Sequence, residues 1–262
     1  MAVAVAAPSA SPARFARRWA AQLAAAVGLG LLAAASSAQG ARPDLDEAAR
    51  RITAQSNGFR AASNRPELVA NERLTATAAA FAHYMARTDR YGHEADGRAP
   101  AERVTAAGYD YCVVLENIAF IQSSAGFSTA ELARRLATGW EESPGHRRNL
   151  LDPDVTQIGV ALAQSEKTRR FYAVQIFGRP KAAALSFSIA NESAASVGYR
   201  LGDKAFHLSP GMTRTHEQCR IERLALPASA EPRGARIDGE LSGGERFVIR
   251  GEGPGTLRVE RR

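Results

Sequence analysis

The order in which apolar periodicities follow one another limits the fold of this chain more than any other feature. Up to about residue 151, apolar side chains recur at helical spacing. Leu45, Ala48, Ile52 and Phe59 form one such set, Leu74, Ala78, Phe81, Ala82 and Met85 a second, and Leu132, Leu136 and Trp140 a third. Each is a stripe that a helix turns toward a core. From Gln157 two strands are expected instead, at 157–163 and 171–177, separated by the polar stretch 164–170, which reads as a hairpin loop. Helices come first and paired strands follow, with no βαβ rhythm. That order predicts an α+β fold with an antiparallel sheet.

Local signals sharpen the boundaries. Asp44 is placed to cap the first helix, and a second helix is expected from about Thr75 to Thr88. Pro100 opens a short helix that Gly108 closes. Ser128-Thr129-Ala130-Glu131 is a capping-box pattern, and Ser143-Pro144 reads as a cap followed by a first helical residue. A strand-like segment runs from Val113 through Ile121.

Composition shifts at Gly178-Arg179-Pro180-Lys181, which divides the chain into a mixed domain at 44–180 and a second at 181–262. The second alternates at Leu185, Phe187 and Ile189, at Val197, Tyr199 and Leu201, at Phe206 and Leu208, and again at Phe247–Ile249 and Leu257–Val259. Turns fall at Gly202-Asp203 and Pro210-Gly211, and the whole reads as a small all-β sandwich.

The first 38 residues have the three-part pattern of a cleaved secretory signal. Arg14, Arg17 and Arg18 are followed by an apolar run from Trp19 to Ala35 interrupted by Gln22, and Ser36-Ser37-Ala38 offers small residues for cleavage. An uncleaved anchor helix is the alternative, although the run is rich in Ala and Gly rather than Leu. The expected location is periplasmic or extracellular, with no stable membrane span after cleavage. The formal net charge is +7, of which the leader's arginines supply three. The remaining charges are scattered and imply no nucleic-acid partner. Cys112 and Cys219 are the two cysteines. In an oxidising compartment they permit a disulfide, and two unrelated buried thiols are the other reading.

Three polar residues stand in unusual places. His93 lies in a turn-rich loop, Glu116 interrupts an apolar strand, and His146 opens a helix in Ser-Pro-Gly-His. A carboxylate in an apolar segment is costly to bury alone, and a nearby imidazolium or a metal offsets that cost. Two histidines and a carboxylate are also a competent zinc set with the fourth place open to water. A histidine–glutamate cluster that only holds loops in place is the alternative. Arg98 and Arg103 either meet an anionic substrate or pair with a local carboxylate such as Glu94 or Glu102, the second being favoured. His216-x-x-Cys219 is read as a turn beside a disulfide cysteine rather than as a metal site.

These residues sit in a wider pattern. Gly92-His93, Asp96-Gly97-Arg98 with Arg103, Ala107-Gly108-Tyr109 and Glu116-Asn117-Ile118-Ala119 resemble the bacterial branch of the CAP superfamily, the cysteine-rich secretory proteins. So do Trp140-x-x-Ser143-Pro144-Gly145-His146-x-x-Asn149-Leu150-Leu151 and Gln157-Ile158-Gly159-Val160-Ala161. The resemblance covers about 44–180 and implies an α–β–α sandwich with an open cleft of two histidines and two acidic residues that binds a divalent ion. It places the histidines on His93 and His146 and the first glutamate on Glu116. The second glutamate falls on Ser143, so the full tetrad is not present, and Glu142 is an adjacent candidate. Ser143 is expected to cap its helix, a nucleophile with His146 as base being the less favoured reading. Asn117 is expected to tie down backbone in the cleft wall. The function this implies is cleavage or binding of cell-wall glycan, with Glu116 as general acid beside His93 and His146, and a divalent metal such as zinc on the two histidines. The alternative is a non-catalytic module for a lipid, a sterol or a protein partner.

Overall fold

The computed structural model describes residues 42–220, 222–226, 243–253 and 256–262. The expected leader at 1–38 lies outside the described residues. Among the described residues no helix is long and apolar enough to cross a membrane.

Helix α1 (Leu45–Ala62) is capped by Asp44, whose carboxylate accepts the Glu47 N–H. Strand β1 (Val69–Ala70) leads into α2 (Glu72–Thr88), which starts earlier than its apolar stripe suggests because the Asn71 side chain accepts the N–H groups of both Arg73 and Leu74. The short α3 (Pro100–Ala106) precedes strand β2 (Tyr111–Ile121). Helices α4 (Thr129–Glu142) and α5 (Pro144–Leu150) follow, then the hairpin β3 (Gln157–Gln164) and β4 (Phe171–Pro180).

These four strands form one sheet in the order β1-β3-β4-β2, with β2 at one edge. β2, β4 and β3 are antiparallel neighbours, and the two-residue β1, too short to read from alternation, joins β3 in parallel. The strands sort their side chains to two faces. Ile158, Val160, Leu162, Phe171, Ala173, Phe177 and Val113 pack with α1 and α4, around Trp140. Ala161, Ala163, Tyr172, Val174, Ile176 and Ile118 pack with α2 and α3, around Phe81 and Met85. The result is the α–β–α sandwich. At Gly159 the backbone of α2 at Leu74 and Thr75 lies where a Cβ would be, so this helix meets the sheet at the one residue type that admits it.

A 3₁₀ turn at Lys181–Ala183 leads to strands β5 (Leu185–Asn191), β6 (Val197–Leu201), β7 (Lys204–Leu208), β8 (Thr213–Gln218), β9 (Leu224–Ala225), β10 (Glu245–Gly253) and β11 (Thr256–Arg261). They form two sheets, β11-β10-β5-β8 and β7-β6-β9. Phe187, Ile189, Tyr199, Leu201, Phe247 and Ile249 fill the core between them. The expected turn at His216 is instead part of strand β8. His216 is buried, stacks on Phe187 and meets the Tyr199 hydroxyl at 2.7 Å through Nε2. Tight aromatic packing, invisible in a polar stretch of sequence, holds that segment extended.

Cys112 at the start of β2 is bonded to Cys219 just after β8. Beside this bridge Arg220 pairs with Asp152 at 2.9 Å and Asp154 at 3.1 Å.

Candidate functional site

Because β2 is an edge strand, part of its backbone faces away from the sheet, and side chains from both helical layers close over it. The Ile118 carbonyl accepts the Tyr91 hydroxyl at 3.1 Å and the Trp140 indole N–H at 3.3 Å. The Glu116 carbonyl accepts the Asn149 amide at 3.2 Å. The loop after α2 and the helix α5 are thereby drawn to the same edge, one from each face. That is how residues as distant as His93 and His146 become neighbours.

Alternation along β2 sends Glu116 and Asn117 to opposite layers. Glu116 points to the α2/α3 side, where its carboxylate is held at both oxygens. His93 Nδ1 lies 2.8 Å from Oε1, and Arg103 Nη2 donates to Oε2 at 2.7 Å. Arg103 also donates to Asp96 Oδ1 at 2.8 Å, to the Arg98 carbonyl at 2.6 Å and to the His93 carbonyl at 2.9 Å. Its guanidinium lies 3.6 Å from the Phe81 ring centroid. One buried arginine therefore fixes both the carboxylate and the loop that carries His93. The tight turn at Gly97 (φ +79°), where a side chain would be strained, lets Asp96 and Arg98 both reach it. The side chains of Arg103, Glu116 and Asp96 are at most 6 % exposed, whereas that of His93 is 50 % exposed.

Asn117 points the other way and is completely buried. Its amide donates to the Gln175 side chain at 3.0 Å and to the His146 carbonyl at 3.3 Å, and its oxygen accepts from Asn149 at 2.9 Å. Gln175 in turn donates to Ser56 Oγ on α1. This network seats the first turn of α5, and with it His146, against the sheet. Burial first, and the nearby His93 second, hold the His146 pKa below its ordinary value of 6.5.

Arg98 and Arg103 do pair with a local carboxylate, but it is Asp96 rather than Glu94 or Glu102, and Arg103 takes Glu116 as well; the Glu102 carboxylate is used at the helix start, accepting the Ala99 N–H. One expectation is corrected. Ser143 does stand at the N-cap position of α5, but its side chain makes no capping hydrogen bond. Among the described residues no hydrogen bond joins it to His146 either. Asn149 and Gln175 are the contributors that residue-by-residue reading missed, as is the role of Arg103 as the cation for Glu116. The available signal was the need of a buried glutamate for a cation within the same motif set.

The donor set does not fit a zinc ion. Glu116 has one oxygen on a guanidinium and the other on His93, Ser143 stands where a second carboxylate is needed, and among the described residues no three His, Cys, Asp or Glu side chains group as metal ligands.

Residues 53–177 match the family model for CAP, the cysteine-rich secretory protein family. No curated protein matches the chain. Among solved structures, an outer surface protein from Borrelia burgdorferi is 20 % identical with a TM-score of 0.47, over 54 % of this chain and 99 % of that one. An extracellular protein containing an SCP domain from Bacillus anthracis is 22 % identical with a TM-score of 0.44, over 52 % and 41 % of the two chains. A cysteine-rich secretory protein from Staphylococcus aureus is 18 % identical with a TM-score of 0.39, over 52 % and 39 %. The match thus spans about two fifths of the length of the latter two. The ordered motifs, the α–β–α sandwich they build and the family match over 53–177 agree that this chain carries a CAP domain of the cysteine-rich secretory protein family.

Proposed function

We propose that this is an exported CAP-domain protein that acts on cell-wall glycan at the edge of β2, with His93 as the proton-transferring group. The observation that carries the reading is the His93–Glu116–Arg103 array. The imidazole is half exposed, and its Nδ1 meets a carboxylate that a buried guanidinium holds from behind. A carboxylate on Nδ1 fixes the ring orientation and leaves Nε2 to take a proton from water or pass one to a leaving oxygen. Glu116 accepts hydrogen bonds at both oxygens, which suits an orienting role better than that of general acid. His146, favoured in its neutral form, offers a second imidazole across the edge. The Cys112–Cys219 bridge and the signal-like leader support export. On this reading the CAP domain is 44–180, and a β domain at 181–262 is stapled to it.

The alternative is binding without turnover, of glycan, lipid or a protein partner. It is favoured by one feature: Asp96, a further carboxylate of this array, is taken up by Arg103 and Arg98, while a typical glycosidase needs two working carboxylates.

The test is incubation of the purified protein with peptidoglycan, followed by mass analysis of the soluble products. Release of fragments that falls at least about 100-fold in His93→Gln and in Glu116→Gln supports catalysis. Retention on the polymer with no release supports the binding reading, and release unchanged in both variants removes the array from the chemistry.

A further inference from the structure

Beyond the cleft, the same strand carries an exposed aromatic surface. Glu116, Ile118 and Phe120 share one face of β2, so Phe120 lies about 13 Å along the strand from Glu116. Phe120 is 40 % exposed and Tyr91 47 %, and their rings meet edge to face at 5.0 Å. Contiguous exposed apolar surface rimmed by polar groups is a mark of contact sites. This pair is also held in place. The Tyr91 hydroxyl is bonded to the Ile118 carbonyl, and Phe120 is backed by the fully buried Tyr172 at 5.9 Å. The Tyr172 hydroxyl is in turn held by Asp89 at 3.1 Å. The rings are therefore preorganised, and little ordering cost attends binding to them.

A cation completes the patch. The Arg170 guanidinium lies 5.0 Å from the Phe120 ring centroid. Arg170 itself is only partly buried, so its positive charge lies at the surface beside the two rings. The carboxylate behind the patch, Asp89, is engaged by Thr168, Ser165 and Tyr172 and does not neutralise Arg170 by direct pairing.

We propose that Tyr91, Phe120 and Arg170 form a subsite for a carboxylate-bearing sugar of a glycan chain that continues along β2 to His93. The C–H face of a pyranose matches the negative face of an aromatic ring, and the guanidinium meets the carboxylate. The separation from Glu116 requires an extended polymer rather than a single sugar to bridge both places. The inference rests on the glycan reading of the cleft and narrows it to acidic glycan.

The test measures retention of the purified chain on immobilised peptidoglycan glycan strands stripped of their peptides by an amidase, so that the lactyl carboxylates of the sugars are free, and on chitin, a neutral glycan, for wild type, Phe120→Ala, Arg170→Gln and Tyr91→Phe. Each variant is first checked for an unchanged circular dichroism spectrum, and the exposed positions of Phe120 and Tyr91 make this the expected result. Phe120→Ala is expected to weaken retention on both polymers at least tenfold. Arg170→Gln is expected to do so on the stripped strands alone, and Tyr91→Phe to have a smaller effect on both. If wild type binds the stripped strands and Phe120→Ala stays within twofold of it, the subsite is overturned while the glycan reading survives. If Arg170→Gln loses equally on both polymers or on neither, the acidic specificity is overturned. If wild type is retained on neither polymer, the glycan reading falls and takes the subsite with it.

Discussion

Arg103 and Glu116 form a buried ion pair, Nη2 to Oε2 at 2.7 Å, with side chains only 4 % and 1 % exposed. The pair lies between the α2/α3 layer and the edge strand that the candidate site lines. Removing one member of such a pair leaves a charge stranded away from water, at a cost of about 3–5 kcal/mol. Arg103→Met strands two carboxylates, those of Glu116 and Asp96. It is expected to lose stability in that range, read as a lower urea midpoint, and more than Glu116→Gln, which leaves Arg103 its bond to Asp96. A loss below about 1 kcal/mol is what a solvent-exposed pair gives, and it would show that the pair is not closed in solution.

Acid should weaken the fold through two histidines. Burial holds His146 and His216 below their ordinary pKa of 6.5, with the charges of His93 and Arg214 as the respective secondary causes. The unfolded chain therefore binds more protons than the folded one between the lowered values and 6.5. This stability is complete above pH 6.5 and is lost as pH falls toward the folded-state values. The urea midpoint measured from pH 7.5 to pH 5 should fall, and His216→Phe should flatten the slope. An unchanged slope in that variant would mean that His216 is not buried neutral.

The Cys112–Cys219 bridge spans 107 residues of sequence. Constraint of so long a loop in the unfolded chain is worth about 4–5 kcal/mol. Reduction, or replacement of both cysteines by serine, is expected to lower the urea midpoint correspondingly. Equal midpoints with and without reductant would show that the bridge adds nothing to stability.

Gly159→Ala places a methyl group on the Leu74–Thr75 backbone, where no flexible side chain can move aside. Overpacking of this kind costs about 1–3 kcal/mol. Gly145→Ala, where nothing lies within 4 Å of the new Cβ, is the matched control and should have little effect. Similar midpoints for the two variants would show that α2 does not approach the sheet this closely.

Zinc should leave the thermal midpoint of the protein unchanged, since a ligand stabilises only by binding the folded state and Arg103 already occupies Glu116. A saturable rise in midpoint that His93→Gln and His146→Gln both remove would establish a metal site despite the arginine.

Much of this architecture is legible in the sequence because its cause is local. The stripes on α1, α2 and α4 predict which faces are buried, since helical spacing alone decides it. The apolar runs at 157–163 and 171–177, split by the polar stretch 164–170, likewise mark the central hairpin, whose strands are buried on both faces. His216 escaped such reading because the rings of Phe187, Tyr199 and Phe206 come from three other strands. The two-residue β1 escaped because so short a run has no period.

The site divides in the same way. Sequence by itself determined its members: His93, Glu116 and His146 stand out because polar groups there break an apolar pattern or sit in a distinctive turn. Only the tertiary structure decided what they do to one another. It set β2 at the sheet edge so that loops from both layers close over it, and it brought Arg103 and His93 to the two oxygens of Glu116. Which cation meets a buried carboxylate depends on distances across the fold, and these are fixed by packing rather than by order along the chain.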